Sequence, residues 1–389
     1  MRSISRRAVT KGALASLAAF ALGRASAADK IQSDALFEPL KLGDVQLRNR
    51  MAMAPLTRGR AGVERTANEL MTQYYTQRAG AGLIVSEGTA ISAMGYGWNQ
   101  SPGIYTQAQI EGWKSVTNAV HQRGGKIFLQ LWHMGRASHP DYLEGQLPVS
   151  ASAIAIADST YTPTGKKPYV APHALTEQEI AATVRDYAQA TVHAREAGFD
   201  GVEIHAANGY LIDQFTRDSS NRRTDKYGGS ARNRLRFMLE VTEAVAKAWS
   251  PQRTGIRLSP SNSYNDMSDT AAATTFTEAT KALNDFGLAY LHVYETLPRT
   301  PEASAARIAP LMRAAYKSRF ILNGGYDAQT GAVALKTGEA DLIAYGRLFI
   351  ANPDLVDRFR TEAKLNVPDS KTFYTTGAQG YTDYPALEE

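Results

Sequence analysis

The chain has 389 residues, 43% of them hydrophobic and 21% charged, and it contains no cysteine. That balance is ordinary for a globular protein, and the missing cysteine excludes disulfides, zinc–thiolate sites and a cysteine nucleophile. Part of the formal charge of +5 sits at Arg2, Arg6, Arg7, Lys11 and Arg24, so the remainder is close to neutral and offers no basic tract for nucleic acid.

The chain opens with Ser5-Arg6-Arg7-Ala8-Val9-Thr10-Lys11, a short apolar run from Gly12 to Gly23, and Ala25-Ser26-Ala27. A charged region, a weakly apolar region and a small-residue site in that order read as a targeting segment. The apolar run is too short for a membrane span, which needs roughly 20 residues. The paired arginines resemble a twin-arginine signal, with Val9-Thr10 where Phe-Leu often stand. Residues 1–27 are therefore expected to be cleaved after export by the twin-arginine machinery. Residues 28–389 would be a single periplasmic domain, or a cytoplasmic one where the signal is not used. An uncleaved amphipathic anchor is the alternative.

After the leader, short apolar segments alternate with longer amphipathic ones. Strands are expected at 50–56, 82–89, 126–133, 201–206, 254–260, 290–295, 320–324 and 342–346. Most are near-continuous apolar runs, as parallel strands buried on both faces should be. Helices are expected at 68–79, 107–123, 177–197, 231–249, 275–286, 303–316, 328–336 and 353–359. Thr176 and Glu179 have capping-box spacing, Ser230 and Asp327 stand at later helix starts, and Gly198, Gly287 and Gly338 stand at helix stops. Eight strand–helix units predict an α/β fold of the (β/α)₈ TIM-barrel type. A doubly wound sheet is the alternative, but no GxGxxG follows the first strand. Residues 135–172 exceed a usual connection and are read as a capping loop or hairpin over the barrel mouth. The tail from 366 onward is polar and aromatic, with Phe373, Tyr374, Tyr381 and Tyr384.

Barrel active sites lie at the C-terminal strand ends. The first strand ends in Ala54-Pro55-Leu56-Thr57-Arg58, the third in Gln130-Leu131-Trp132-His133-Met134-Gly135-Arg136, and the fourth in His205-Ala206-Ala207-Asn208-Gly209-Tyr210. Arg257 interrupts the fifth strand, Asn323-Gly324-Gly325 ends the seventh, and Gly346-Arg347 follows the eighth. Two hydrogen-bond donors and a phenol within six residues suit reduction of a conjugated carbonyl, which needs donors on the oxygen and an acid beside the neighbouring carbon. Arg257 in an apolar strand is costly unless an anion is near it.

These motifs, in this order, resemble the old yellow enzyme family of FMN-dependent ene-reductases. The resemblance runs from about residue 36 to 385 and includes 54–57, 82–87, 130–136, 196–211, 220–233, 255–260, 346–355 and 373–385. It implies non-covalent FMN, reduced by NADPH or NADH, and an NAD(P)H:flavin oxidoreductase that reduces the activated C=C bond of α,β-unsaturated carbonyl compounds. Ala54, Pro55, Leu56 and Gly88 would contact the flavin. Thr57 would donate to its C4 carbonyl, which places the chain with the threonine-bearing members. Gln130 would pair with the pyrimidine edge and Arg257 would face the N1/C2 carbonyl edge. Asn323, Gly324, Gly325, Gly346 and Arg347 match the phosphate end, where backbone amides approach a phosphate and Arg347 adds a charged donor. His205 and Asn208 match the pair that binds the substrate carbonyl, and Tyr210 the proton donor to the α-carbon. Trp98, Trp132, Tyr264 and Tyr374 are expected on the substrate face. No metal is implied.

A nitrate-ester or nitroaromatic reductase would use the same donor pair for a nitro oxygen. A phosphate-binding barrel aldolase or isomerase would explain the glycines but needs a catalytic Lys or Glu at a strand end; Glu87 is available, and no lysine is. A periplasmic binding protein would need a hinged two-domain pattern, which is absent. Export and a nicotinamide donor are in tension, because little of either nicotinamide lies outside the cytoplasm. The expected partners are thus a small enone or nitro compound and the export machinery, in a monomer or small homo-oligomer.

Overall fold

The computed structural model describes residues 34–297 and 306–387. Residues 1–27, read above as the export signal, and position 303, the expected start of the sixth helix, lie outside them. The strands in chain order are β1 (Leu40–Leu42), β2 (Val45–Leu47), β3 (Met51–Met53), β4 (Leu83–Ala90), β5 (Ile127–Trp132), β6 (Val149–Ser150), β7 (Ser159–Thr162), β8 (Gly165–Pro168), β9 (His173–Ala174), β10 (Gly201–His205), β11 (Thr254–Leu258), β12 (Tyr290–Tyr294), β13 (Arg319–Asn323) and β14 (Leu342–Tyr345). Eight of these, β3, β4, β5 and β10 to β14, form a closed barrel. Every pairing in it is parallel, and β14 joins β3 to complete the ring. Closure removes the doubly wound alternative. All residues of β4, β5, β10 and β11 are buried, which is why their sequences read as apolar runs rather than alternating ones.

The first barrel strand is shorter than the expected 50–56. Ala54 still donates its N–H to Tyr345 O at 3.0 Å, but Pro55 has no N–H to continue the ladder. The hairpin β1–β2 was not expected from the sequence. Its Leu40, Leu42, Val45 and Leu47 form one cluster with Leu83, Val85, Phe128, Tyr290, Ile321 and Leu342 from the barrel strands, and so fill the barrel floor.

Helices α1 (Glu69–Gln77), α2 (Gln107–Gln122), α3 (Glu177–Glu196), α4 (Leu211–Thr216), α5 (Ala231–Arg234), α6 (Arg236–Ala248), α7 (Ala272–Leu283), α8 (Ala309–Ala315), α9 (Ala328–Lys336), α10 (Arg347–Ala351) and α11 (Leu355–Arg360) cover the barrel. The Thr176–Glu179 capping box opens α3, and Ser230 and Asp327 cap α5 and α9. The expected helix 231–249 is split at Leu235, and α4 and α10 are additional short turns at strand ends.

Within residues 135–172, β7 and β8 form the expected antiparallel hairpin. Asp141 anchors it, accepting from Lys167 Nζ at 2.6 Å and from Thr162 Oγ1 at 2.7 Å. Ile156 and Tyr169 of the same insertion pack against Trp132, Met134 and Tyr210 at the barrel mouth.

Candidate active site

A cavity of about 290 Å³ opens among the C-terminal strand ends. It is lined by Pro55, Leu56 and Thr57 after β3, Gln130 and Trp132 of β5, His205, Asn208 and Tyr210 at the end of β10, Arg257 of β11, and Arg347 after β14, with Trp98, Tyr264 and Tyr374 at its edge. All of these were expected from the sequence. Ala54, Gly88, Asn323, Gly324, Gly325 and Gly346 do not line it.

The segment after β10 is a rigid hook. Asn208 and Gly209 both take left-handed backbone conformations, at φ 58° and 73°. A Cβ at Gly209 would lie 2.6 Å from Met267 Cγ and 2.7 Å from Asn265 Cβ, so only glycine fits. The Asn208 N–H donates to Ser259 Oγ at 2.8 Å, and its carbonyl accepts from Asn265 Nδ2 at 2.9 Å. The Gly209 N–H donates to Asp213 Oδ2 at 2.9 Å, and Asp213 forms a buried ion pair with Arg217, also at 2.9 Å. Arg217 donates in turn to the carbonyls of Ser259 and Pro260. The loops after β10 and β11 are therefore bolted together, and His205, Asn208 and Tyr210 reach the cavity on a fixed frame.

His205 and Tyr210 meet edge to face at 5.0 Å between ring centres, and Trp132 meets Tyr210 in the same way at 5.0 Å. Burial, together with the charges of Arg257 and His292, holds the His205 imidazole well below its ordinary value. It is a neutral ring that offers one N–H. Burial, with Tyr264, Tyr169 and Tyr374 around it, pushes the Tyr210 phenol well above its ordinary value. It keeps its proton at neutral pH.

Arg257 is only 6% exposed, yet no carboxylate among the described residues forms a salt bridge with it. Its Nη2 donates to Asn323 Oδ1 at 2.8 Å, and its Nε has no hydrogen-bond partner among the described residues. A buried guanidinium with unused donors is the signature of a missing acceptor. Asn323 is thus a support for Arg257 and also donates to Ala344 O at 2.6 Å. Below it lies a polar layer that the sequence reading did not single out. Glu203 accepts from Gln130 Nε2 at 2.8 Å, from Tyr290 Oη at 3.1 Å and pairs with His292 Nδ1 at 2.8 Å. Burial opposes charge on Glu203, but His292, Arg257 and Gln130 outweigh it and hold the carboxyl below its usual value. A carboxylate only accepts, so Gln130 must give Glu203 its NH₂ and turn its carbonyl oxygen to the cavity.

Gly324 is glycine for a reason other than the one expected. At φ 141° a Cβ there would lie 2.1 Å from Glu295 O, so the close approach is to the loop after β12. Gly325, at φ 95°, has open space where a Cβ would be, and it stands one strand away from Gly346 and Arg347, because β13 pairs with β14. An anion could be cradled there between exposed Gly325 and Arg347. Gly88 lies under Trp132, whose ring a Cβ would approach to 2.6 Å.

Arg58, Ile350 and Phe373 also line the cavity and were not among the expected site residues. Arg58 and Arg60 donate to Phe373 O at 3.0 and 2.9 Å, and Arg58 to Gly380 O at 2.7 Å. These bonds draw the C-terminal tail over the barrel and set Phe373 and Tyr374 on the rim. Tyr381 instead stacks on Tyr74 at 4.0 Å and is purely a packing residue. Glu87, the carboxylate an aldolase or isomerase would require, points away from the cavity lining: it is fully buried and accepts from Arg58 N and Tyr75 Oη, both at 3.3 Å.

Arg257, the Gln130 carbonyl, the Thr57 hydroxyl and the Gly325–Arg347 cradle suit a flavin mononucleotide, which presents an electron-rich carbonyl edge and a phosphate. A profile of the NADH:flavin oxidoreductase / NADH oxidase family matches residues 35–366. The chain is 43% identical over 378 residues to 12-oxophytodienoate reductase 7 of Oryza sativa subsp. japonica, covering 90% of this chain and 94% of that protein. It is 42% identical over 368 residues to a probable flavin mononucleotide-dependent alkene reductase of Leishmania infantum, covering 93% and 100%. Among solved structures, morphinone reductase in complex with tetrahydroNAD superposes with a TM-score of 0.86 at 46% identity, over 91% of this chain and 98% of that one. The old yellow enzyme homologue from Zymomonas mobilis gives 0.87 at 44% identity, over 91% and 100%.

Proposed function

Because the chain belongs to the NADH:flavin oxidoreductase / NADH oxidase family, we propose that it is an FMN-dependent ene-reductase acting on the activated C=C bond of α,β-unsaturated carbonyl compounds. The observation that carries this reading is the convergence, in one cavity, of a buried arginine lacking its acceptor with a neutral imidazole, an amide and a protonated phenol. Thr57, Gln130, Arg257 and Arg347 would hold FMN, which when bound supplies the hydride. The relatives named alkene reductase and 12-oxophytodienoate reductase support the substrate class, and the morphinone reductase complex with a nicotinamide analogue supports NADH or NADPH as the electron source.

The protein's own groups account for the rest. His205 and Asn208 donate to the substrate oxygen, and their stabilisation grows as negative charge moves onto that oxygen. His205 is carried by the end of β10 and the hook fixes the Asn208 backbone, so neither residue has to be repositioned during the reaction. Tyr210 delivers the proton to the α-carbon. Trp132, packed against Tyr210 and stacked near His205, keeps water from that edge of the cavity. A nitro or nitrate-ester oxygen could occupy the same pair of donors.

The leader reading belongs to the same proposal: residues 1–27 direct export of a folded, cofactor-loaded domain spanning residues 28–389. NADH or NADPH is the donor for protein in the cytoplasm, whereas exported protein would draw electrons from a source other than the cytoplasmic nicotinamide pool. The cofactor assignment is tested by denaturing purified protein and identifying the released flavin chromatographically. One FMN per chain is expected; FAD, a flavin that stays covalently attached, or none would overturn it.

A further inference from the structure

We propose that Asn262, which does not line the cavity, sets the polarity of the substrate-oxygen site by dictating which end of the Asn208 amide faces it. The inference rests on the assignment of Asn208 to the substrate oxygen. A primary amide is nearly symmetric in shape but opposite in chemistry at its two ends. Turned one way it donates to a carbonyl oxygen; turned the other it repels the same oxygen. The hook fixes the Asn208 backbone, but it leaves the terminal amide torsion, which has two broad wells, undecided.

Asn262 decides it. Asn208 Oδ1 accepts from Asn262 Nδ2 at 2.8 Å. Asn262 is itself an amide and could turn, but its Oδ1 accepts from the main-chain N–H of Tyr264 at 3.1 Å. A main-chain N–H is a donor in every conformation. Polarity therefore runs in one direction, from Tyr264 N–H to Asn262 Oδ1, then from Asn262 Nδ2 to Asn208 Oδ1. The Asn208 NH₂ is left for the cavity. Reversing Asn208 alone would set two NH₂ groups against each other, and reversing both would set the Tyr264 N–H against an NH₂. Asn262 is thus a positioning residue, and the loop after β11 writes the donor character of a group carried by the loop after β10.

Asn262→Asp tests this with little change of shape. One carboxylate oxygen keeps the Tyr264 N–H, while the other can only accept and so turns the Asn208 NH₂ away from the cavity. The readout is the long-wavelength charge-transfer absorbance of p-chlorophenol titrated into FMN-loaded protein, where the bound phenolate oxygen takes the place of the substrate oxygen. Asn262→Asp is expected to weaken phenol binding by roughly 10- to 100-fold, the scale of a lost and reversed hydrogen bond. Asn262→Leu, which frees the amide without reversing it, is expected to weaken it by only about 2- to 5-fold. In an Asn208→Ala background both changes should shrink to less than about 2-fold, because the group they act through is gone. Parent-like binding by Asn262→Asp overturns the proposal. So does a larger loss in Asn262→Leu than in Asn262→Asp, which is what a packing role predicts, or an effect of either variant that persists without Asn208. A parent-like Asn208→Ala would instead overturn the assignment of Asn208 to the substrate oxygen, and the role of Asn262 with it.

Discussion

Tyr210→Phe separates proton delivery from everything else this side chain does. The ring is only 8% exposed and packs edge-on against Trp132 and His205, contacts that phenylalanine keeps. Thermal stability should change by less than about 1 kcal/mol, since the ring and its packing are kept and only the hydroxyl is removed. The phenol is a different matter. Burial pushes it well above its ordinary value, so it holds its proton and is available as an acid. Removing a positioned acid costs roughly 10²- to 10⁴-fold, equal to about 2.7–5.4 kcal/mol of barrier. The loss should fall on one half of the reaction only. In stopped-flow measurements, reduction of the bound flavin by nicotinamide should be nearly unchanged, while its reoxidation by 2-cyclohexenone slows. The parent's reoxidation rate should also be flat between about pH 6 and 9, because His205 is held far below an ordinary imidazole near 6.5 and Tyr210 above an ordinary phenol near 10. Equal reoxidation rates in parent and variant would remove Tyr210 from proton delivery, and an inflection near 6.5 would contradict a neutral His205.

Arg347→Ala should weaken FMN binding by roughly 10- to 100-fold, the scale of a charge-assisted hydrogen bond, while each flavin that remains bound reacts as in the parent; equilibrium dialysis followed by activity per flavin checks this. His205→Ala and Asn208→Ala should each cost phenol binding about 1–3 kcal/mol, read from the charge-transfer titration. Burial, outweighing the Arg58 and Tyr75 contacts, raises the Glu87 carboxyl to about 7. The folded chain then binds that proton more tightly than the unfolded one, so the stabilisation is complete below the unfolded value near about 4.3 and is lost as pH rises through 7. Melting temperatures should therefore fall from pH 5 to 8 in the parent more than in Glu87→Gln, by a difference on the order of 3 kcal/mol in stability; parallel curves would refute it. Arg6→Lys with Arg7→Lys should retain a flavin-loaded precursor in the cytoplasm, and fractionation with N-terminal sequencing reads the result.

The eight barrel strands were legible because strands buried on both faces write continuous apolar runs, and all eight end within three residues of where the sequence placed them, seven of them within two. The β1–β2 hairpin was not, since three residues per strand carry no detectable period. His205, Asn208 and Tyr210 could be read together because the end of β10 and the hook that follows it carry all three within six residues. The Glu203 layer could not, because Gln130, Glu203 and His292 come from three strands and meet only in the closed barrel. The available signal was the one that exposed Arg257: an ionisable residue inside an apolar strand, as Glu203 is in Gly201–His205 and His292 in Tyr290–Tyr294. Arg58 stands 315 residues from Phe373, and no local pattern joins them. At Gly324 the sequence could not show that the space of the missing Cβ is taken by Glu295 O, a contact between two loops.

The cavity is assigned the reduction of an activated C=C bond with a bound flavin and its own proton donor. An anaerobic single turnover tests it most directly. Protein reduced with one equivalent of dithionite is mixed with 2-cyclohexenone, the oxidised-flavin spectrum is followed, and the product is identified by gas chromatography. Return of the FMN absorbance is expected together with one equivalent of cyclohexanone per flavin, and both should slow in Tyr210→Phe. A protein that carries no flavin, or a reduced flavin that persists beside unchanged enone, would contradict it.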